Sequence, residues 1–125
     1  MDIVFGGAYQ GKLDYARESF GQALTVHTCS EEAIDLPADE EILKDFHLLV
    51  LALVRGGQDP CAYVEGQWEV LKDKIIIADD ISCGIVPLDA ETRAFREAMG
   101  RVMVLLSRKA QSVTRVFCGI GMRLK

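Results

Sequence analysis

Several things are scarce in this 125-residue chain, and each scarcity narrows what it can be. Positive charge is in deficit: 14 Lys and Arg stand against 19 Asp and Glu, a net charge of −5. That argues against nucleic acid and against an anionic membrane surface as partners, since both are bound by neutralising phosphate. Long hydrophobic runs are missing. The longest, Leu48 to Val54, is far short of the roughly 20 residues that span a bilayer. Paired cysteines are missing too. Cys29, Cys61, Cys83 and Cys118 stand far apart with no C-x-x-C, so metal-finger spacing is absent. Three of them lie in or beside apolar runs, where a reduced, buried thiol is expected. The reading is a reducing cytoplasm, with no signal peptide, because Asp2 and Gly6-Gly7 interrupt any leader pattern.

What is present is a globular composition. Half the residues are apolar, enough for one domain over residues 1–125 with a real core. No repeat or linker divides it. The acidic residues gather partly between Glu31 and Glu41, which reads as a solvated surface segment.

The chain is organised around its start. Asp2-Ile3-Val4-Phe5 reads as a buried strand, followed by Gly6-Gly7-Ala8-Tyr9-Gln10-Gly11-Lys12 and then a helical pattern. Strand, G-x-x-x-x-G-K and helix is the phosphate-loop arrangement. Glycines let backbone N–H groups close on phosphate oxygens, the helix presents its positive end, and Lys12 adds a mobile charge. A plain glycine-rich turn that binds nothing is the competing reading. The residue after the lysine is ordinarily Ser or Thr, a Mg²⁺ ligand; here it is Leu13.

Leu13, Ala16, Phe20 and Ala23 give a helix over Lys12 to Ala23, fraying at Gly21. Leu24 to Thr28 is a short strand, with His27 read as a packed residue. Cys29 to Asp39 is loop, and Asp39 caps a short helix through Asp45. Phe46 to Val54, nearly all apolar, reads as a strand covered on both faces. Cys61 to Leu71 is a helix. Lys74 to Ala78 is a strand ending in Asp79-Asp80, and Ile81 to Leu88 is loop. Asp89 caps a long helix to Ala110, with Phe95, Met99, Val102, Met103 and Leu106 as its buried stripe. Ser112 to Cys118 is a strand, Gly119-Ile120-Gly121 a tight turn, and Met122 to Leu124 an antiparallel edge strand.

This alternation predicts a three-layer α/β domain with a mostly parallel sheet. Ligands in such sheets bind at the carboxyl ends of strands. That rim would carry Gly6 to Lys12, Thr28, Arg55 and Asp79 to Gly84. Asp79 or Asp80 could hold Mg²⁺ or act as general base, or simply end the strand. Arg93 and Arg96 could clamp a phosphate, or lie on a solvated face beside Glu97.

From Cys83-Gly84-Ile85-Val86-Pro87 onward, the chain resembles a known family. Arg93, Phe95-Arg96, Gly100-Arg101-Val102 and the closing Gly119-Ile120-Gly121-Met122-Arg123-Leu124-Lys125 continue the likeness. They are similar to the bifunctional adenosylcobinamide kinase / adenosylcobinamide-phosphate guanylyltransferases of cobalamin biosynthesis, whose G-G-A-R-S-G-K-S start Gly6 to Lys12 also resembles. The resemblance implies a RecA-like phosphate-loop NTPase fold, often trimeric. It implies phosphorylation of a corrinoid hydroxyl with ATP or GTP, then GMP transfer through a histidine intermediate.

Carried over, Gly6, Gly7, Ala8, Tyr9, Gln10, Gly11, Lys12, Leu13 and Thr28 would bind nucleotide. Lys12 and Asp80 would be catalytic, Asp79 and Asp80 would hold metal, and Gly84 to Pro87 would form the neighbouring loop. The departures are as informative. Leu13 stands at the Mg²⁺ serine, so Mg²⁺ use stays open. Cys29 to Asp45 has no His or Arg where the family keeps its guanylylated histidine, and His27 and His47 are expected on strands. The apolar strand Leu48 to Val54 lacks its counterpart's acidic residue, and Met103 replaces an asparagine. The expectation is a shortened relative with guanylyl transfer lost and kinase chemistry dependent on Lys12 with Asp79 or Asp80. The alternative is a non-catalytic nucleotide- or phosphate-binding or oligomeric module.

Overall fold

Four isoleucines and valines explain the centre of the sheet. Ile3 and Val4 on one strand and Ile76 and Ile77 on the next have almost no exposed surface. β-branched side chains suit a pleated surface that is covered on both sides. The computed structural model describes residues 1–81 and 89–125. In chain order they form β1 (Asp2–Gly6), α1 (Lys12–Phe20), β2 (Val26–Thr28), β3 (Ile42–Lys44), α2 (Phe46–Arg55), α3 (Pro60–Gly66), α4 (Trp68–Leu71), β4 (Ile75–Asp79), α5 (Ala90–Lys109), β5 (Ser112–Phe117) and β6 (Ile120–Arg123). The strands make one sheet, ordered β2-β3-β4-β1-β5-β6. Every neighbouring pair is parallel except β5 with β6. The expected α/β architecture, mostly parallel with an antiparallel C-terminal pair, is therefore present.

Side chains alternate across the strands and find helices on both faces. Ile3, Leu43, Ile76 and Val113 pack with Phe46, Leu49, Val50 and Leu53 of α2 and with Met99, Val102 and Leu106 of α5. Val4, Ile42, Ile77 and Val116 pack with Ala16 of α1. Each fully buried Leu or Ile contributes about 1.5–3 kcal/mol, so the larger cluster on the α2/α5 side dominates the fold. α5 starts where the sequence places it. The Asp89 carboxylate accepts from the Thr92 N–H at 2.7 Å and its hydroxyl at 2.8 Å, satisfying an otherwise orphaned donor.

The middle of the chain differs from expectation. Phe46 to Val54 is not a strand; it lies within helix α2. The strand there is Ile42–Lys44, inside the segment expected to be a short helix. The reason is physical. A uniformly apolar run carries no period, so only length and residue type arbitrate. Ten residues suit a helix, and Leu48, Leu49, Leu51, Ala52 and Leu53 are strong helix formers rather than β-branched.

Residues 61–71 form two short helices, α3 and α4, broken at Gly66–Gln67. α3 opens on Pro60, with the Asp59 side chain accepting from Cys61 N–H. β2 keeps only Val26–Thr28 of the expected strand. The final turn centres on Cys118 and Gly119, at φ 51° and 76°. Cys118 is exposed there, while Cys29 is buried and Cys61 half-buried. Glu97 pairs with Arg101. Most of the Ile81 to Leu88 loop, including Cys83 and Gly84 to Pro87, lies outside the described residues.

Candidate functional site: an anion loop against an acidic strand end

β1 ends at Gly6, pressed close against its neighbour β5. A Cβ on Gly6 would strike the Val116 carbonyl oxygen of β5. Six residues later α1 begins behind Gly11, whose φ of 85° lies in the left-handed region. No side chain caps this helix, so its first-turn N–H groups are left for an anion. The loop is held from outside by the β5–β6 turn. Gly119 N–H donates to Gln10 O at 2.8 Å, and Cys118 N–H donates to Gln10 Oε1 at 2.7 Å.

Lys12 points back under the loop. Its Nζ donates to Gly7 O at 2.7 Å and pairs with Asp79 Oδ1 at 2.8 Å. Asp79 closes β4, the strand beside β1, and Gly6 and Asp79 are register partners. Topology therefore brings the strand end and the loop together without help from flexible segments.

His47 completes the group. As the second residue of α2 it is nearly buried. Its Nδ1 accepts the Asp79 N–H at 3.1 Å, and its Nε2 lies 3.6 Å from Asp79 Oδ2. An accepting Nδ1 puts the imidazole proton on Nε2. Burial pushes the His47 pKa down, outweighing the upward pull of the Asp79 and Asp45 carboxylates. His47 is thus a neutral donor whose Nε2–H faces the site.

Asp45, His47 and Asp79 offer ligand atoms within 4.8 Å of one another. The imidazole is the wrong part for a cation, however. A ligating His donates from its second nitrogen, and His47 accepts there. The carboxylates remain usable, because Mg²⁺ is commonly held by one or two of them plus phosphate oxygens. Leu13 lines the same pocket and offers no oxygen.

Two pockets flank Asp79. On the loop side, 430 Å³ is lined by Ala8 to Asp14, Lys44, Asp45, His47, Ile77 and Asp79. On the other side, 590 Å³ runs along α5, floored by Phe5, Met99, Met103 and Val104, with Asp79, Asp80, Arg96 and Lys125 among its walls. Lys12 meets Asp79 directly, while Asp80 faces only the second pocket. Thr28, at the end of β2, lines neither, and Gly6 and Gly7 shape the loop without lining it. Arg55 ends α2 and pairs with Glu31 and Glu91. His47 was missed because the run that holds it was read as a strand, and Asp45 because it was placed at the end of a short helix. The helix-forming leucines behind them were the available signal.

The family model described as cobinamide kinase / cobinamide phosphate guanyltransferase matches residues 60–124. The chain belongs to this family. The match spans just over half of it and takes in Asp79, Asp80 and all of the second pocket's lining except Phe5 and Lys125. The loop Gly6 to Lys12 and His47 lie before it, so their assignment rests on geometry. No protein of curated function matches the sequence. Among the described residues, no helix of this cobinamide kinase-family chain is long and apolar enough to cross a membrane.

Proposed function

We propose that this protein is a phosphate-loop kinase acting on a cobinamide-type alcohol, with ATP or GTP as donor. The observation that carries this reading is Asp79, which lines two pockets of opposite character. The donor's phosphates would take the loop amides, Lys12 Nζ and the His47 Nε2–H. The acceptor's apolar body would lie along Met99, Met103 and Val104. Asp79 stands between the two and Asp80 beside it on the acceptor side, where a carboxylate can take the acceptor hydroxyl's proton. When phosphate arrives, Lys12 turns from Asp79 to the anion, freeing a carboxylate oxygen. Asp79, with Asp45 across the loop-side pocket, would hold Mg²⁺, which neutralises charge on the transferring phosphate when bound.

Guanylyl transfer is absent from this proposal. A covalent route needs a nucleophile with a free lone pair. His47 Nδ1 is occupied by a backbone N–H and its Nε2 carries the proton. The proposal includes one RecA-like domain over 1–125, a cytoplasmic setting and self-association. Phe117, Ile120 and Met122 leave an apolar strip on β5 and β6 that another copy could cover.

One observation favours a second reading, a nucleotide-binding module without catalysis: Leu13 in the pocket at the hydroxyl's position. Nucleotide-dependent thermal stabilisation, with and without Mg²⁺, separates the two. At about a hundred times its dissociation constant a ligand adds about 2.7 kcal/mol. A shift that needs Mg²⁺, with phosphate transfer to cobinamide, supports the kinase. A Mg²⁺-indifferent shift without transfer supports the module. No shift with either nucleotide overturns both.

A further inference from the structure

Tyr9 is out of place twice over. Its φ is 59°, in the left-handed region that bulky side chains avoid. Its side chain is completely exposed, at 103%, so no burial offsets that strain. Glycine would adopt the same backbone freely. The fold therefore gives no reason for a tyrosine at this point. Strain that persists without a structural return is found at ligand sites.

Its position says which ligand. Tyr9 lines the loop-side pocket together with Gly11, Lys12 and His47. Lys12 and the loop amides define where phosphate sits. An aromatic ring beside that point, fully exposed, has its faces open to whatever the phosphate carries. Bare phosphate offers a ring nothing to stack on; an ester of a planar group does.

We propose that Tyr9 is a specificity residue that stacks on a planar ring group attached to the bound phosphate. This rests on the reading of Gly6 to Lys12 as a phosphate site. The ring group could belong to the nucleoside of the donor or to a ring-bearing phosphorylated acceptor, and the two give different results below.

The test compares four ligands by direct titration: ATP, tripolyphosphate, phenyl phosphate and inorganic phosphate. It uses the wild type, Tyr9→Phe and Tyr9→Gly. In Tyr9→Gly, affinity for the ring-bearing ester should fall about five- to a hundredfold, the range of base–aromatic stacking. The matching bare anion should stay within about twofold. Tyr9→Phe should keep the preference. Loss within the ATP–tripolyphosphate pair assigns the ring to the donor. Loss confined to the phenyl phosphate–phosphate pair assigns it to the acceptor. Equal changes for ester and bare anion would overturn the proposal. A wild type that binds none of the four ligands would overturn the loop reading, and this proposal with it.

Discussion

The two pockets on either side of Asp79 share that strand end and differ in almost everything else. The loop-side pocket is backbone amides, two lysines, three aspartates and an imidazole, drawn from the glycine loop, α1, β3, α2 and β4. The α5-side pocket is methionine, valine and phenylalanine with charge only at its edges. The difference teaches that the two pockets should answer differently to substitution. A polar site depends on a few atoms held to within tenths of an ångström, and one change such as Leu13 alters its chemistry. An apolar wall depends on volume and shape, and tolerates substitution.

The sharpest break would come from the shared residue. Asp79→Asn should lower any phosphate transfer at least about a hundredfold, because charge handling is most of what a protein supplies to this reaction. It also leaves nearly buried Lys12 without its carboxylate, so urea unfolding should show a loss of about 1–2 kcal/mol, moderated by the partial exposure of Asp79. A variant with unaltered transfer would separate the two pockets and end the kinase reading. Lys12→Ala should strike one side only. The nucleotide-induced stabilisation of about 2.7 kcal/mol at saturating ligand should vanish, while acceptor binding measured alone persists.

Met103→Glu is the converse. It puts a charge into the apolar wall, so the acceptor KM should rise about tenfold or more, with nucleotide stabilisation unchanged. If both ligands weaken, the pockets are one site. The smallest effect concerns His47. Its folded pKa is depressed by burial, so the unfolded chain binds its proton first as pH falls. The His47 contribution to stability is complete above its unfolded value of about 6.5. It declines as pH falls from there through the folded pKa. His47→Gln should flatten that part of the stability–pH curve, and an unchanged slope would show that His47 does not titrate there.

How much of this was legible in the sequence depends on whether the signal was local. The loop was readable because strand, glycines, lysine and helix each have their own chemistry within Asp2 to Phe20. α5 was readable because Asp89 caps it and its apolar stripe repeats with helical spacing. Phe46 to Val54 was not. Wrapped between sheet and α5, it shows no polar face, and hence no period. That one misreading put His47 on a strand and hid its approach to Asp79. The pairing of Lys12 with Asp79 rather than Asp80 was also beyond the sequence. Which of two adjacent carboxylates turns toward β1 is set by the sheet register of Gly6 with Asp79.

The strap between Gln10 and the β5–β6 turn has a consequence in time. Cys118 lies 108 residues after the glutamine whose side chain it grips. A nascent chain would have its glycine loop in hand almost at once and have nothing to brace it against. Competence to grasp an anion would arrive only with the last hairpin, so a ribosome-bound or clipped chain should stay blind to nucleotide.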